Sequence, residues 1–462
     1  MKPPQSSQPT KSWGSEDAER HLRSLELFGM RFGLDRMRRM MTALGSLDRS
    51  KIGQPFASIH VVGTNGKSST TRMIAAILQR HGLRTGAYTS PHLISYTERV
   101  QIGERDLDGE EFAAAISRAA WAAEHVNHTL SGDDHVTQFE LLTAAALWAM
   151  AERGVQVAVV EAGLGGRYDA TSVIDSRVTV LTNVGLEHTR WLGPTVSDIA
   201  EEKLAVLLPG TTLVLGGDLA PEALAVAERV AREQDARIVP AGGSSSDRSP
   251  PDLQAHGAER PTAPLAAHPA ETPLAASGPF QRRNFALART AAESYLRELG
   301  IEWREDAVRE AAAETVVEGR LQIVAENPLT VLDGAHNPDA TLALIEALPE
   351  ILDAHPPARP PRPLALVLGV LEDKDAASML RALLGVCERA WFTAPPSSRA
   401  LSPAALQSLA RQLGFDAVAC EPEPARALVE AQRWARERGD GAAVLATGSV
   451  YLVGALLDDG NR

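Results

Sequence analysis

The sequence predicts an α/β protein with two parallel sheets, and three observations support this prediction. Short apolar runs rich in β-branched residues alternate with helical patterns, as in parallel sheets that are covered by helices. The alternation stops at a segment without periodicity and then starts again, which predicts two α/β domains joined near residues 315–319. With 462 residues, 44% of them hydrophobic, the chain can form two large cores without covalent cross-links.

Apolar runs and helical spacing locate the elements of the first domain, predicted over residues 19–317. Residues 1–18 are polar and predict a flexible tail. Residues 19–47 have helical spacing, interrupted by the glycine-containing sequence FGMRFGLDR at 28–36, which predicts a loop. Strands are predicted at 58–62, 155–160, 178–184 and 212–215, and helices at 70–82, 109–128, 140–153, 196–208 and 281–299.

The second domain is predicted over residues 318–462. Four apolar runs predict buried strands at 329–332, 364–368, 390–393 and 442–446, with helices between them. The proline-rich sequence at 356–363 predicts a stiff surface loop. Within the first domain, residues 241–277 are rich in Ala, Pro, Ser and Gly and predict a flexible insertion.

Composition excludes several classes of protein. Two cysteines, Cys387 and Cys420, exclude a disulfide scaffold, and no Cys/His cluster suggests structural zinc. No run of about 18 apolar residues predicts a membrane span, and the first residues lack the apolar region of a secretory signal. A net charge of −13 argues against binding along a nucleic-acid backbone. We therefore expect a cytoplasmic protein without nucleic-acid or membrane partners.

The strongest local motif is HVVGTNGKSST at residues 60–70. A strand leads into a glycine-containing turn that opens a helix, so backbone N–H groups and the helix N-terminus face one anion. Lys67 can then reach the β- and γ-phosphates, and Ser68 or Ser69 can meet Mg²⁺. The alternative is a simple glycine turn with a solvated lysine. We predict a nucleotide phosphate site made by Gly63, Thr64, Asn65, Gly66, Lys67, Ser68, Ser69 and Thr70.

Eleven further motifs follow the phosphate loop in a fixed order. They are TSPHL (89–93), ERVQIGE (98–104), TQFELLTAAAL (137–147), EAGLGGRYDAT (161–171), NVGLEHT (183–189), EEK (201–203), GPFQRRN (278–284), GRLQIV (319–324), LDGAHNPDA (332–340), GVLEDKD (369–375) and ATGSVYLVG (446–454). With these motifs the chain resembles the folylpolyglutamate synthase/dihydrofolate synthase family, which is related to the Mur ligases. The resemblance implies a Mur-ligase-like P-loop ATPase domain followed by a smaller Rossmann-like C-terminal domain.

Glu161 ends an apolar strand, at the sheet edge where ligands collect, and a carboxylate there suits Mg²⁺. A solvated strand-end glutamate is the alternative. The resemblance implies Mg²⁺ ligation by Ser90, Glu161 and His188. It also aligns Lys203 with a lysine that is carbamylated in these ligases and could hold a second Mg²⁺, whereas the sequence alone allows a surface salt bridge. The family usually has Asp where this chain has Glu187.

Three further groups of residues take roles from the resemblance. The pterin side of the substrate is assigned to Phe139, Tyr168, Asp169 and Ala170, although Phe139 is equally compatible with a core position. The neighbouring Thr137 and Glu140, together with Gly29 and Arg31 of the 28–36 loop, are also predicted to contact this substrate. The resemblance assigns ATP to Asn284, Arg320 and Asp333, with His336 near the nucleotide or the incoming glutamate. Lys374 is either part of a solvated charge cluster or a contact of the glutamate α-carboxylate.

The predicted function is ATP-dependent ligation of L-glutamate to dihydropteroate and to the γ-carboxylate of folates such as tetrahydrofolate, through an acyl phosphate. Lys67, Lys203 and His188 are the predicted catalytic residues, and ATP and one or two Mg²⁺ ions the predicted cofactors. A ligase that only polyglutamylates folates, another Mur-type amino-acid ligase, and a non-catalytic nucleotide-binding regulator are the alternatives. The resemblance suggests a monomer.

Overall fold

The structure is a computed structural model that describes residues 13–25, 32–45, 54–241, 273–355, 362–439 and 441–460. Gly29, Arg31, most of the predicted insertion and most of the 356–363 loop lie outside the described residues. Two sheets organise the chain, which confirms the predicted α/β class. The proposed domain boundary falls between the last helix on the first sheet, which ends at Glu314, and the first strand of the second sheet, which begins at Gln322. The division at 317/318 itself stays a prediction.

The first sheet has eight strands in the order β4-β3-β2-β5-β1-β6-β7-β8, and its antiparallel pairings are β2 with β3 and β3 with β4. The strands are β1 (Ala57–Val62), β2 (Thr85–Tyr88), β3 (Val100–Ile102), β4 (Arg105–Asp106), β5 (Val157–Glu161), β6 (Ser176–Leu181), β7 (Thr212–Leu215) and β8 (Arg237–Pro240).

The second sheet has six strands in the order β13-β12-β11-β14-β10-β9, all parallel except β9. They are β9 (Gln322–Glu326), β10 (Leu329–Leu332), β11 (Leu364–Leu368), β12 (Arg389–Phe392), β13 (Val418–Cys420) and β14 (Ala443–Thr447). The four predicted strands of this region are confirmed within one residue. The edge strands β9 and β13 were not predicted, because they are short and half exposed and so lack a continuous apolar run.

Helices cover both sheets. They are α1 (Ser15–Leu25), α2 (Asp35–Leu44), α3 (Lys67–Arg80), α4 (Gly109–Asn127), α5 (Gln138–Glu152), α6 (Thr189–Leu192), α7 (Val196–Leu204), α8 (Pro221–Glu233), α9 (Pro279–Glu298), α10 (Glu305–Glu314), α11 (Pro338–Ala354), α12 (Ala376–Leu383), α13 (Pro403–Gln412), α14 (Pro424–Arg438) and α15 (Val450–Gly460). None of the helices in the described part of the chain is long and apolar enough to cross a membrane.

Alternating side chains of β5 show how the first core is divided. Val159 packs in the layer that contains α3 and α9, whereas Ala158 and Val160 pack on the opposite face with α4 and α5. Both faces are apolar because a parallel sheet is covered on both sides.

The strand register sets the position of the site. In the first sheet β1 pairs in parallel with β5 and β6, so Val61 lies opposite Glu161 and Val62 opposite Leu181. The carboxyl ends of these three strands therefore meet at one edge. The phosphate loop follows β1, the predicted metal carboxylate Glu161 is the last residue of β5, and the predicted metal histidine His188 lies after β6.

Candidate active site

The phosphate loop connects β1 to α3 with the geometry that its sequence predicts. Gly63 and Gly66 have φ angles of 148° and 80°, which only glycine adopts without strain. A Cβ at Gly63 would overlap the Thr182 side chain, so this position also needs a residue without one. The helix begins at Lys67, earlier than the predicted residue 70, because the turn feeds directly into it. The backbone thus closes around the space where a phosphate would sit.

Side chains fix the loop from both sides. The Asn65 backbone N–H donates to Asn183 Oδ1 at 2.8 Å, and Lys67 Nζ donates to the Thr64 carbonyl at 3.0 Å. Asn337, which caps α11 beside the second sheet, donates from Nδ2 to Asn65 Oδ1 at 2.9 Å. The loop is therefore in direct contact with the second half of the chain. Thr70, by contrast with the prediction for it, is fully buried in α3 and is not among the described residues that line the cavity.

Glu161 is a buried carboxylate at the end of β5, with 2% of its surface exposed. Its Oε2 accepts the Ser90 backbone N–H at 3.0 Å. Burial raises the pKa of Glu161, while the charge of Lys67 and a hydrogen bond from Ser68 oppose that shift. A carboxylate held in this way is poorly solvated and would be stabilised by a nearby cation.

His188 and Glu187 follow β6 and face the second sheet. His188 adopts a left-handed backbone conformation, with φ 52°, at the start of α6. Its Nε2 lies 3.7 Å from Glu187 Oε1, and His336 Nε2 lies at the same distance from that oxygen. Burial lowers the pKa of His188, and the positive charge of Lys374 adds to the effect. The imidazole is therefore kept neutral, the form that can bind a metal.

Lys203 is buried in α7, with 5% of its surface exposed. Its Nζ donates to the Gly63 carbonyl at 2.7 Å, which places the amine beside the phosphate loop. Burial lowers the pKa of Lys203 to about 7, and repulsion from Lys67 adds to the shift. The alternative that Lys203 forms a surface salt bridge is therefore wrong, because its side chain is buried.

The second sheet supplies the opposite wall. The buried Asp333 carboxylate accepts the backbone N–H groups of Leu321 and Ala335 at 2.9 and 2.8 Å. Burial raises the pKa of Asp333, while the charge of Arg320 lowers it. His336 is held by a 2.8 Å contact between Nδ1 and the Gly334 carbonyl.

Asn284, on α9, lies against the phosphate loop. A Cβ at Gly66 would overlap the Asn284 amide oxygen, and Asn284 Nδ2 donates to Gln281 Oε1 at 2.9 Å. Residues from both halves of the chain line a cavity of about 530 Å³. Predicted residues that line it are Gly63, Thr64, Asn65, Gly66, Lys67, Ser68, Ser69, Glu161, His188, Lys203, Asn284, Arg320, Asp333 and His336.

Of the residues predicted to contact the pterin, those that the structure describes are not among the residues that line this cavity. Phe139 is half-buried against Gly163, where a Cβ would overlap its ring, so it fits both a core role and a stacking role. Tyr168 is half exposed, Asp169 is buried, and Ala170 is 5% exposed. Their substrate role stays a prediction.

Asp169 and Glu140 already have structural partners. Asp169 accepts backbone N–H groups of Leu164 and Thr171 at 2.8 and 3.0 Å. Glu140 accepts two bonds from Arg36 Nε and the Thr137 backbone N–H, and Thr137 caps α5. These contacts stabilise the loop and helix that frame the predicted pterin side.

Sequence reasoning identified only part of one wall of the cavity. Asp373, Lys374 and Arg399 line it on the second sheet's side, opposite Glu187. Lys374 was weighed because it lies in the GVLEDKD motif. Arg399 lies in a polar loop where no spacing or periodicity marks it, and only the tertiary fold brings it to the cavity.

Two known domain families match the two halves of the chain. The glutamate ligase domain of Mur ligases matches residues 319–450, and the Mur ligase middle domain matches residues 61–218. The dihydrofolate synthase/folylpolyglutamate synthase of Escherichia coli (strain K12) is 32% identical over 464 residues, covering 98% of this chain and 96% of its own length.

Two solved structures are similar over nearly their whole length. Mycobacterium tuberculosis folylpolyglutamate synthase complexed with ADP has a TM-score of 0.82 at 30% identity, covering 96% of this chain and 99% of that one. A bifunctional folylpolyglutamate synthase/dihydrofolate synthase with Mn, AMPPNP and L-glutamate bound has a TM-score of 0.76 at 27% identity, covering 98% and 100%.

The matched regions include both sheets and the cavity between them, so the protein is an ATP-dependent ligase of the Mur type. Within the Mur-type ligases, the comparisons also identify one family. The chain belongs to the dihydrofolate synthase/folylpolyglutamate synthase family, because a member is 32% identical to almost all of it. The family predicted from the motifs is thereby confirmed.

Proposed function

We propose that this protein uses ATP to ligate L-glutamate to dihydropteroate, forming dihydrofolate, and to the γ-carboxylate of folates such as tetrahydrofolate. The observation that carries the proposal is the cavity itself. Lys67 of the phosphate loop and the buried Glu161 share it with Arg320 and His336 from the second sheet. The relatives support the substrate class by their names, and the similar structures hold ADP, AMPPNP or L-glutamate.

The chemistry needs an activated acyl group, because an oxide is a poor leaving group from a carboxylate. The acceptor carboxylate attacks the γ-phosphorus of ATP, giving an acyl phosphate and ADP. The glutamate amine then attacks the acyl carbon, loses a proton and expels inorganic phosphate. Each turnover thus consumes one ATP and forms one amide bond.

The chain's own residues supply charge and position for both steps. Lys67 and the backbone N–H groups of the phosphate loop neutralise the γ-phosphoryl group as it transfers, where electrostatic positioning provides most of the catalysis. Arg320 lies near Glu161 and Asp333 and can bind polyphosphate oxygens with its forked guanidinium group.

The donor set fits a magnesium ion bound together with the nucleotide. The described residues contain no group of three or more His, Cys, Asp or Glu side chains that could hold a metal by themselves. Mg²⁺ usually takes only one or two protein carboxylates and completes its shell with phosphates and water. Ser90, Glu161 and His188 would hold the ion, and it would supply positive charge to the ATP phosphates. The buried Glu161 carboxylate has the donor chemistry that this role requires.

We further propose that Lys203 is carbamylated. CO₂ reacts with a neutral amine, and a pKa of about 7 leaves much of Lys203 neutral at physiological pH. The product would be an anionic group beside the phosphate loop, which would hold a second Mg²⁺. Closure of the two halves around the cavity would protect the acyl phosphate from water.

ADP release tests the proposal against a non-catalytic regulator. We expect steady ADP formation only when Mg²⁺-ATP, glutamate and a pteroate or folate acceptor are all present. Lys67→Ala should lower the rate of ADP formation about 100- to 1,000-fold, whereas Arg72→Ala on the same helix should leave it unchanged. ADP release at a rate that depends on neither glutamate nor the acceptor would contradict the proposal.

A further inference from the structure

Asn65 of the phosphate loop and Asn337 of the second half face each other as two side-chain amides, which we call the amide pair. Asn337 Nδ2 donates to Asn65 Oδ1 at 2.9 Å, and Asn65 Nδ2 donates to Asn337 Oδ1 at 3.4 Å. Asn337 is 4% exposed and Asn65 is half-buried, so the pair is largely shielded from water. Its two hydrogen bonds join the phosphate loop directly to the second half of the chain.

Further contacts fix the orientation of both amides. Asn337 is the N-cap of α11, where its Oδ1 accepts the Ala340 backbone N–H at 2.8 Å. The amide nitrogen of Asn337 therefore points away from the helix, towards Asn65. Asn65 is held through its backbone, because its N–H donates to Asn183 Oδ1 at 2.8 Å and its carbonyl accepts the Thr182 hydroxyl at 2.7 Å. Each residue is thus fixed within its own half and presents its amide to the other.

These contacts distinguish Asn65 from the rest of the phosphate loop. Its backbone N–H is bonded to Asn183 and its side-chain amide to Asn337, so both are used on protein groups. The first N–H groups of α3, which begins at Lys67, have no acceptor within the helix and remain for an anion. Asn65 is therefore placed to hold the loop against the second half, beside the groups that face the phosphate.

The start of α11 rests on the phosphate loop and on the segment after β6 together. Thr64 Oγ1 accepts the Gly185 backbone N–H at 3.0 Å, which joins these two segments. A Cβ at Gly185 would overlap the Asp339 carboxylate, so the first turn of α11 packs closely on this segment. The amide pair therefore lies within a close contact between the two halves, next to the cavity that Thr64, Asn65 and Asp339 help to line.

The proposed reaction requires that water be excluded between its two steps. The acyl phosphate exists from the time ADP forms until the glutamate amine attacks. Water that reached it would bond to phosphorus, break the bond between phosphorus and the acyl oxygen, and release the acceptor carboxylate, inorganic phosphate and a proton. One ATP would then be consumed without an amide being formed.

We propose that the amide pair keeps the second half docked on the phosphate loop while the acyl phosphate is present. This inference rests on the proposed function and makes Asn65 and Asn337 positioning residues for it. Neutral hydrogen bonds suit a contact that must open and close in each turnover, because each shifts an equilibrium by only about 2- to 10-fold. The amides also carry no charge that would compete with ATP or glutamate for the cations of the cavity.

The ratio of ADP formed to glutamylated product formed tests this role. Wild type should form one ADP for each amide. Asn337→Ser keeps an oxygen that can cap α11 but loses the amide, and Asn65→Ala removes the other partner. Each should raise ADP formation without glutamate roughly 2- to 10-fold and bring the ratio above one. The double variant should match a single variant, because both changes remove the same two hydrogen bonds.

Two further variants control for the helix cap and for the donor. Ser402→Ala removes the N-cap of α13, another helix of the second half, and leaves the phosphate loop untouched, so its ratio should equal that of wild type. Asn337→Asp keeps the cap and the size of the side chain but turns a carboxylate oxygen towards Asn65 Oδ1. It should raise the ratio at least as much as Asn337→Ser. If the Asn337 variants do not fold, Asn65→Ala decides by the same ratio.

The outcomes separate this inference from the proposed function. No amide product from wild type with either acceptor would overturn the proposed function. Normal wild-type product, with one ADP for each amide in every variant of the pair, would overturn the role of the amide pair alone, whether or not the overall rate falls. A double variant in which the effects of the two single variants multiply would also overturn it, since the two residues would then act independently.

Discussion

Glu187 Oε1 lies 2.8 Å from Lys374 Nζ and joins the segment after β6 to the segment after β11. The two side chains are 13% and 10% exposed, so this ion pair is largely removed from water. Burial opposes ionisation of Glu187, but the charges of Lys374 and His336 outweigh it and lower the pKa of Glu187 to about 2. The pair connects the two sheets beside the predicted catalytic histidine.

The first prediction concerns the strength of this connection. Glu187→Gln and Lys374→Met should each lower the free energy of unfolding by about 1–3 kcal/mol, because each removes the charged hydrogen-bonding partner of a largely buried group. The double variant should lose less than the sum, since residues in contact couple by about 0.5–3 kcal/mol. Urea unfolding of the four proteins measures this coupling.

An exposed ion pair provides the control for that cycle. Arg282 Nη1 lies 2.8 Å from Glu350 Oε1, and the two side chains are 48% and 44% exposed. Its coupling should be about 0–1 kcal/mol, as for other solvated pairs. Equal coupling in both cycles, or strict additivity for Glu187 and Lys374, would show that the connection between the sheets does not depend on this pair.

Lys67 should act on phosphoryl transfer more than on binding of the acceptor. Lys67→Ala removes a positive charge that faces the transferring group, and we expect kcat to fall about 100- to 1,000-fold. KM for the folate should change little, because the predicted pterin residues lie elsewhere. Steady-state kinetics check both values. A large rise in the folate KM with unchanged kcat would place Lys67 in acceptor binding instead.

Lys203 should carry a carbamate that can be observed directly. With ¹³C-labelled bicarbonate, wild-type protein should show a carbamate carbon resonance that is absent from Lys203→Ala. Because the pKa of Lys203 is lowered to about 7, the neutral amine and hence the carbamate should increase as the pH rises through 7. Lys374→Met, another lysine of the cavity, should keep the resonance. Loss of the signal in that variant but not in Lys203→Ala would assign the carbamate elsewhere.

His60 should make stability depend on pH. It is 1% exposed in the central strand β1, with Nε2 2.8 Å from Thr171 Oγ1, and burial lowers its pKa from 6.5 to about 3. Below the unfolded pKa the unfolded chain binds a proton that the folded chain does not, so stability falls as the pH falls from 6.5 towards 3. The contribution approaches about 1.4 kcal/mol per pH unit.

Denaturant unfolding at several pH values checks that slope. His60→Gln, which cannot gain this proton, should lose less stability than wild type over the same pH range. Direct observation of the His60 imidazole by NMR should show no protonation near pH 6.5. Identical pH slopes for both proteins would contradict the assignment.

Much of the fold follows from local sequence, and the exceptions have physical causes. Buried central strands such as β10 and β11 are continuous apolar runs, so they were predicted at their observed positions. Edge strands such as β8 are half exposed and lack that signal. The start of α3 was predicted three residues late, because the polar residues Lys67, Ser68 and Ser69 are helical without contributing apolar periodicity.

The candidate site could be predicted where a motif ends a strand. Glu161 ends β5 and His188 follows β6, and their position at one sheet edge follows from the parallel pairing of these strands with β1. The burial of Lys203 could not be read from its sequence, because neighbouring acids on α7 suggested a surface position. Arg399 reaches the cavity only through the packing of its loop on the Leu371 segment.

Product mass tests the central claim most directly. The protein is incubated with Mg²⁺-ATP, L-glutamate and either dihydropteroate or tetrahydrofolate, and the pteridine products are weighed while ADP is followed. We predict that each acceptor gains the mass of a glutamyl residue and that one ADP appears for each residue added. Addition to tetrahydrofolate alone would restrict the protein to polyglutamylation. ATP-dependent addition to neither acceptor would contradict the account.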